Sequence, residues 1–243
     1  MESLEGKIVL ITGASSGIGE GTAKYLASLK VKGLALVGRN KKALDETANI
    51  CKSAGEAKLE VLILAQDLSD SNACRQVVEN TVKHFGKLDI LVNSAGILVP
   101  GSTESISEED FDQCMTINCR SAFVLTQACL PHLLQTRGNI VHVSSVTGLR
   151  AFPNVVAYNM SKAAVDQLTR TCALEVAERG VRVNAVNPGV IVTQVILLNI
   201  NCLRCPKALV THTLSVVYLC SISIIKLMTF LNMSTKWVLS TIH

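Results

Sequence analysis

Aromatic residues are scarce in this sequence of 243 residues, where Phe, Trp and Tyr together make up 4%. Modules that bind single-stranded nucleic acid stack bases on several aromatic side chains, so this scarcity argues against that function. The formal net charge of +4 is also too small to predict nucleic-acid binding by charge alone. We therefore expect no nucleic-acid partner.

Acidic residues and glycine are both absent from the C-terminal part of the chain. All 19 Asp and Glu residues lie at or before Glu178, and all 15 glycines lie at or before Gly189. Charges balance over residues 1–195, so the formal +4 belongs to residues 196–243. The composition therefore predicts a single domain over residues 1–195, followed by an atypical apolar, basic tail over residues 196–243.

A long uncharged run lies within this tail. Ala208–Ile225 contains no Asp, Glu, Lys or Arg and is just long enough to cross a bilayer. It also carries several Ser and Thr side chains and one His, which disfavour insertion. We favour a divergent C-terminus as the explanation of this composition. A tether to the membrane, and with it a membrane-associated location, is the alternative.

Cysteine usage bears on the compartment and on metals. The nine cysteines have irregular spacing, which is typical of a reducing compartment, and no apolar run precedes Lys7 that would suit a secretory signal. We therefore expect a cytoplasmic protein. Cys202 and Cys205 have no second pair of ligands at the spacing of a zinc site, so no metal is predicted.

Short apolar runs alternate with longer helical patterns over the first 190 or so residues. The predicted strands are Lys7–Thr12, Leu34–Val37, Leu59–Ala65, Ile90–Asn93, Asn139–Ser144 and Arg182–Asn187. The predicted helices are Ile18–Leu29, Lys41–Ala54, Asp70–Phe85, Glu108–Leu134 and Tyr158–Glu178. Nearly continuous apolar strands are typical of parallel sheets covered on both faces. We therefore predict a doubly wound, Rossmann-like α/β fold, whose ligand binds at the carboxyl ends of the strands.

A glycine-rich turn joins the first strand to the first helix. Glycines let the backbone approach a pyrophosphate closely, and the following helix offers free N–H groups and a positive dipole end. The spacing G-x3-G-x-G is more than an ordinary strand–helix turn needs, although such a turn is the alternative. The predicted cofactor contacts here are Gly13, Ser15, Ser16, Gly17, Ile18 and Gly19.

With the preceding Thr12, this turn reads TGASSGIG, which resembles the nucleotide-binding signature of the short-chain dehydrogenase/reductase family. At the end of the second strand stand Gly38 and Arg39, where NAD binding usually requires a carboxylate for the ribose 2′-hydroxyl. Gly38 leaves room and Arg39 supplies a planar cation suited to a 2′-phosphate, which favours NADP over NAD. A solvated surface charge is the alternative role for Arg39.

The resemblance extends to the ends of the third and fourth strands. It assigns Asp67, followed by Leu68, to the adenine amino group, whereas capping of the next helix is the alternative role for Asp67. The fourth strand ends in a small-residue segment that would lie against the cofactor's ribose. Its predicted contacts are Asn93, Ala95 and Gly96, and Ser94 departs from the asparagine usual in the family.

Tyr158 and Lys162 are four residues apart and share one face of a predicted helix. A nearby ammonium favours phenolate, so we expect Lys162 to lower the pKa of Tyr158 and make it a general acid–base at neutral pH. Ser145 lies thirteen residues before Tyr158, the spacing the family shows for its catalytic serine, and is preferred to Ser144 on that ground alone. The resemblance gives Asn118 a role in bending its helix and holding a proton-relay water; a solvated helix face is the alternative.

The last motif follows the sixth strand. The segment from Pro188 and Gly189 onwards resembles the family's segment beneath the nicotinamide, and Ile191 and Thr193 would meet the carboxamide. The resemblance covers about residues 4–195 and stops there, so the substrate-binding wall and the seventh strand cannot be recognised. The sixth strand would then be an edge of the sheet.

Together these motifs predict an NADP-dependent oxidoreductase that interconverts a carbonyl group and a secondary alcohol of a small molecule. The alternative is a non-catalytic or truncated isoform that binds NADP without a complete substrate pocket. The family resemblance is also compatible with a homo-oligomer.

Overall fold

The computed structural model describes residues 4–55 and 59–189. Six strands run through them: β1 Ile8–Thr12, β2 Gly33–Gly38, β3 Glu60–Ala65, β4 Ile90–Asn93, β5 Asn139–Val143 and β6 Arg182–Val186. They form one sheet in the order β3-β2-β1-β4-β5-β6, and every pairing is parallel. The predicted doubly wound α/β fold is confirmed, and each strand end lies within a residue or so of its predicted position.

Helices cover both faces of the sheet: α1 Gly17–Ala27, α2 Lys41–Ala54, α3 Ser71–Phe85, α4 Glu108–Met115, α5 Ser121–Thr136 and α6 Val156–Val176. Successive residues of a strand point to opposite faces. Val9 and Ile11 of β1 therefore pack in a cluster with α1 and α2, whereas Leu10 packs in a second cluster with α3, α5 and α6. All five residues of β1 are buried, as expected of a strand covered on both sides.

The long helix predicted over Glu108–Leu134 is wrong in one respect. A π-helical turn, Thr116–Arg120, separates α4 from α5, and Asn118 lies inside it. Single π-helical turns inside α-helices frequently occur at functional sites. Apolar periodicity could not reveal the interruption, because the turn is stabilised by contacts of Asn118 with a loop far away in the sequence.

The C-terminal predictions lie beyond the described residues. These include the domain boundary at 195, the tail over 196–243 and the Ala208–Ile225 run. Across residues 4–55 and 59–189, no helix has both the length and the apolar character that a bilayer crossing requires. Of the described strands, β6 pairs with β5 alone.

Candidate active site

A cleft of about 400 Å³ lies at the carboxyl ends of the strands. It spans the point between β1 and β4 where the strand order reverses, which is the usual ligand position in such sheets. Most of the predicted cofactor contacts line it: Gly13, Ser15, Ser16, Gly17, Ile18, Arg39, Asp67, Leu68, Ala95, Gly96, Tyr158, Lys162, Pro188 and Gly189. Ile191 and Thr193 lie outside the described residues.

Two predicted contacts, Gly19 and Asn93, lie beneath the cleft instead of lining it. Asn93 is buried, with its Nδ2 3.2 Å from Nδ1 of His142 and 3.4 Å from the Ala122 carbonyl oxygen. The loop after β4 is held from the other side by Thr12, whose Oγ1 accepts hydrogen bonds of 3.0 Å from the N–H groups of Ser94 and Ala95. Asn93 therefore anchors this loop from below.

The glycine turn is shaped by contacts that leave no room for side chains. Gly13 has φ +66°, and a Cβ there would lie 2.9 Å from the Ala95 nitrogen. A Cβ on Gly19 would lie 2.3 Å from the Gly13 carbonyl oxygen. Close packing of glycine backbone at this turn lets a pyrophosphate approach the main chain.

The N-terminus of α1 faces this turn without a side-chain cap. Asn40, Asp70 and Ser107 cap α2, α3 and α4 through side-chain oxygens, but the Ser16 side chain makes no capping hydrogen bond. The first N–H groups of a helix need an acceptor, and an anion satisfies them well. The residues present therefore fit the pyrophosphate of a nicotinamide dinucleotide.

The end of β2 has the geometry expected for the adenosine part of such a cofactor. A Cβ on Gly38 would lie 3.0 Å from Oγ of Ser15, so the Ser15 hydroxyl faces the space that a longer residue would occupy. Arg39 and Asp67 are both exposed on the cleft. Hydrogen bonding from the Ser69 backbone N–H, aided by the charge of Arg39, lowers the pKa of the Asp67 carboxyl.

Capping of α3 falls to Asp70 and not to Asp67. Oδ1 of Asp70 accepts a 2.8 Å hydrogen bond from the Asn72 N–H, whereas Oδ1 of Asp67 accepts from Ser69 before the helix begins. The geometry therefore excludes the alternative role of Asp67 as the N-terminal cap of α3. Its carboxylate lies on the cleft.

Tyr158, Ser145 and Lys162 meet at the opposite end of the cleft. Tyr158 and Ser145 both line the cleft, and the Ser145 side chain is close enough to the phenol to act on its pKa. Ser144 instead donates to the Lys162 carbonyl oxygen at 3.1 Å, so Ser145 is the serine that reaches the phenol. The Lys162 ammonium lies 5.6 Å from the Tyr158 ring centroid and donates a 2.8 Å hydrogen bond to the Val143 carbonyl oxygen.

The expected fall in the pKa of Tyr158 is wrong for this structure. Burial raises the pKa of Tyr158 to about 12, and the Ser145 side chain opposes the rise. Burial also lowers the pKa of Lys162 to about 8, since the residue is only 5% exposed. Desolvation disfavours the charged form of both groups. Helical spacing correctly predicted their proximity, but spacing contains no information about solvent.

Asn118 is buried, 2% exposed, and ties the π-helical turn to the loop after β4. Its Oδ1 accepts from the Ile97 N–H and its Nδ2 donates to the Ile97 carbonyl oxygen, both at 2.8 Å. Nδ2 also lies 3.0 Å from Oγ of Ser161, on the helix that carries Lys162. The solvated-face alternative is therefore wrong, and Asn118 joins three segments of the site.

Sequence reasoning missed several residues of the cleft, namely Gln66, Ile97, Leu98, Ile117 and Val143. All of them lie within two residues of a predicted site residue, which is a usable signal; Ile117 directly precedes Asn118 in the π-helical turn. No group of three or more His, Cys, Asp and Glu side chains that could hold a metal ion occurs in the described part of the chain.

Similarity to known proteins agrees with this geometry. The sequence profile of the short chain dehydrogenase family matches residues 7–197. A Thermotoga maritima protein described as an uncharacterized oxidoreductase is 41% identical over 189 residues, 77% of this chain and 72% of its own. The 3-oxoacyl-(acyl-carrier-protein) reductase FabG of the same organism is 38% identical over 193 residues, covering 78% and 76%.

Solved structures lead to the same conclusion. Levodione reductase superposes with a TM-score of 0.79 at 33% identity, over 82% of this chain and 78% of its own. An NAD+-bound xylitol dehydrogenase superposes with a TM-score of 0.74 at 33% identity, over 78% and 72%. The chain therefore belongs to the short-chain dehydrogenase family of oxidoreductases, which use a nicotinamide cofactor on alcohol or carbonyl groups.

Proposed function

We propose that this protein is an NADP-dependent oxidoreductase that interconverts a carbonyl group and a secondary alcohol, with Tyr158 as the general acid–base. The observation that carries the proposal is that Tyr158, Ser145 and Lys162 line one end of the glycine-lined cleft together, with the Lys162 ammonium 5.6 Å from the Tyr158 ring centroid. The other end of the cleft has the features expected for the cofactor's adenosine phosphate.

Each residue has a distinct task in the proposed reaction. Ser145 donates a hydrogen bond to the substrate oxygen and holds it against the phenol. In reduction Tyr158 gives its proton to that oxygen; in oxidation it takes a proton from the alcohol. A bound nicotinamide cofactor would supply or accept the hydride at the substrate carbon. Lys162 would hold the ribose hydroxyls of that cofactor, and Asn118 would hold a water that returns protons to Lys162.

The raised pKa of Tyr158 in the cofactor-free protein favours reduction over oxidation near neutral pH. A neutral phenol is ready to donate, so reduction needs no prior ionisation near neutral pH. Oxidation requires the phenolate, which burial disfavours and the Ser145 side chain favours. We therefore expect the oxidation rate to rise with pH and the reduction rate to fall at high pH.

Preference for NADP rests on Ser15, Gly38 and Arg39. A carboxylate at position 38 would accept the 2′-hydroxyl of NAD and repel a 2′-phosphate. Gly38 lacks it, the Ser15 hydroxyl faces the free space, and Arg39 offers two parallel N–H donors. We assign the 2′-phosphate to these three residues, and Asp67 to the adenine amino group.

The cysteines support a cytoplasmic location. All cysteines in the described part of the chain are free thiols, and five of these six are buried. Free buried thiols are typical of proteins kept in reducing compartments.

The activity test follows NADPH absorbance with a panel of ketones and aldehydes. We expect turnover in the wild type, and a loss of about a thousandfold or more in Tyr158→Phe because the acid is removed. Tyr25→Phe, which alters an exposed tyrosine on α1, is the matched control and keeps full activity. Equal turnover in Tyr158→Phe and the wild type would contradict the assignment. NADPH binding without turnover on any carbonyl would favour the non-catalytic alternative.

The cofactor test compares two variants at position 38. Gly38→Asp adds a Cβ and a charge, whereas Gly38→Ala adds the Cβ alone and crowds Ser15 equally. We expect Gly38→Asp to weaken NADPH binding about tenfold more than Gly38→Ala does, and to gain affinity for NADH. Equal NADPH affinity in the two variants would refute the assignment of the 2′-phosphate.

A further inference from the structure

A carboxylate that belongs to none of the motifs lies buried behind the active site. Asp166 is on α6, one turn after Lys162, and is 4% exposed. A buried carboxylate is costly unless donors surround it. Nδ2 of Asn187 provides one, at 3.0 Å from each carboxylate oxygen. The carboxylate also touches the loop after β5, since a Cβ on Gly148 would lie 2.3 Å from its Oδ2.

The side-chain amide of Asn187 joins Asp166 to the backbone of Ser145. Its amide nitrogen has two hydrogens and three acceptors within reach, the two Asp166 oxygens and the Ser145 carbonyl oxygen at 2.9 Å. One hydrogen therefore goes to Ser145, and the other is shared by the carboxylate. The charge of Asp166 fixes the orientation of the Asn187 amide, because a flipped amide would direct its own oxygen at the carboxylate.

Neighbouring backbone hydrogen bonds connect the same two loops. The Ser144 N–H donates to Val186 at 2.8 Å, and the Val146 N–H donates to Pro188 at 3.0 Å. These bonds flank Ser145, whose carbonyl is held by Asn187. Pro188, which follows Asn187, lines the cleft. Asp166 thus supports the loop carrying Ser145 and the segment after β6.

We propose that Asp166 and Asn187 are positioning residues for the oxidoreductase reaction. Together they fix the position of Ser145 relative to Tyr158 and to the Pro188–Gly189 segment. This inference rests on the proposed function, because it gives Ser145 and Tyr158 their catalytic tasks. Neither residue contacts the phenol itself; both act through the Ser145 backbone.

Asp166 has a second effect, on the charge of Lys162. The groups that face Lys162 are Tyr158 and Asp166 on α6, Cys114 from α4 and His142 from β5. Burial lowers the pKa of Lys162, and Cys114 and Asp166 oppose that shift. Burial raises the pKa of the Cys114 thiol and lowers that of His142 to about 4, so both are neutral near pH 7. The opposing negative charge near pH 7 is therefore that of Asp166.

The test uses Asp166→Asn, which preserves the size of the side chain and removes its charge. Glu175→Gln, on an exposed turn of the same helix, is the matched control. Hydrogen exchange of the cofactor-free protein is the first readout. We expect exchange about tenfold faster over residues 144–148 in Asp166→Asn, and no change in Glu175→Gln.

Kinetics provide the second readout. We expect kcat to fall about tenfold or more in Asp166→Asn, and the apparent pKa assigned to Lys162 to move down in the pH–rate profile. Asn187→Ala keeps the charge and removes the amide, so we expect a similar fall in kcat with a much smaller pKa shift. A merely structural role would lower stability and leave the pH profile where it was.

Unchanged exchange over residues 144–148 together with wild-type kcat in either variant overturns the inference. If Asp166→Asn does not fold, Asn187→Ala decides alone, through exchange and kcat. If the wild type has no turnover, the proposed function fails separately, and hydrogen exchange in the cofactor-free protein still decides whether Asp166 and Asn187 hold the Ser145 loop.

Discussion

Gly19→Ala is a sharp test of the glycine turn. The residue lies in α1 with ordinary helical backbone, where alanine is normally favoured over glycine by about 1 kcal/mol. Here a Cβ would meet the Gly13 carbonyl oxygen at 2.3 Å, the Gly13 carbonyl carbon at 2.7 Å and the Thr12 carbonyl oxygen at 3.0 Å. All three are main-chain atoms of the strand–helix turn, so no side-chain rotation can relieve the contact.

The two effects have opposite signs, and the contact should prevail. Forcing atoms into a packed region costs about 1–3 kcal/mol, because the backbone has to move. We expect a net loss of stability of about 1 kcal/mol and a fall in Tm of roughly 2–4 °C for a chain of this size. The displaced turn also carries the N–H groups that we propose bind the pyrophosphate. NADPH affinity should therefore fall about tenfold or more.

Gly86→Ala is the matched control. Gly86 has φ +79° with nothing within 4 Å of a Cβ, and it lies at the C-terminus of α3, away from the carboxyl ends of the strands. It should lose about 1 kcal/mol through backbone strain alone and keep full NADPH affinity. Isothermal titration with NADPH and urea unfolding measure both quantities. If Gly19→Ala is more stable than the wild type and binds NADPH equally well, the argument from close packing is refuted.

Three further outcomes follow from the same geometry. Asp70→Ala should lose about 1 kcal/mol in urea unfolding because it removes the cap of α3, whereas Asp67→Ala, which removes only the acceptor of the Ser69 N–H, should lose less stability and weaken NADPH binding. Asn118→Ala should lose about 2 kcal/mol, because both backbone groups of Ile97 lose their partners; an unchanged urea midpoint would count against this. Lys162 has its folded-state pKa lowered to about 8, so the folded state gains stability as pH rises from about 8 towards 10. Between pH ~7 and ~9.5 the free energy of unfolding of the wild type should rise by about 1–2 kcal/mol more than that of Lys162→Met. An identical pH dependence of stability in the two proteins would contradict the argument that burial lowers the Lys162 pKa.

Local patterns in the sequence were sufficient to predict the strands of the sheet and the glycine turn. Each strand is a short apolar run, and TGASSGIG combines the turn and the start of α1 within eight residues. The same holds for the proximity of Tyr158 and Lys162, because helical spacing places residues four apart on one face. Interactions of this kind are local along the chain, so the sequence alone suffices to predict them.

Contacts between distant segments of the chain decided those features of the site that local sequence patterns do not predict. The π-helical turn at Asn118 depends on Ile97, which is 21 residues away, and Asn187 meets Asp166 at the same separation. Spacing already preferred Ser145 to Ser144; the contacts add that the Ser144 hydroxyl donates to the Lys162 carbonyl oxygen.

The sequence by itself determined the α/β architecture, the family and the identity of the candidate catalytic pair. Only the tertiary structure decided the pKa of Tyr158, the cap of α3 and the partner of Asp166. Architecture follows from periodic burial and turn chemistry, which are written in consecutive residues. A pKa or a buried hydrogen-bond network depends on which distant groups exclude water from a side chain, and that is known only once the chain is folded.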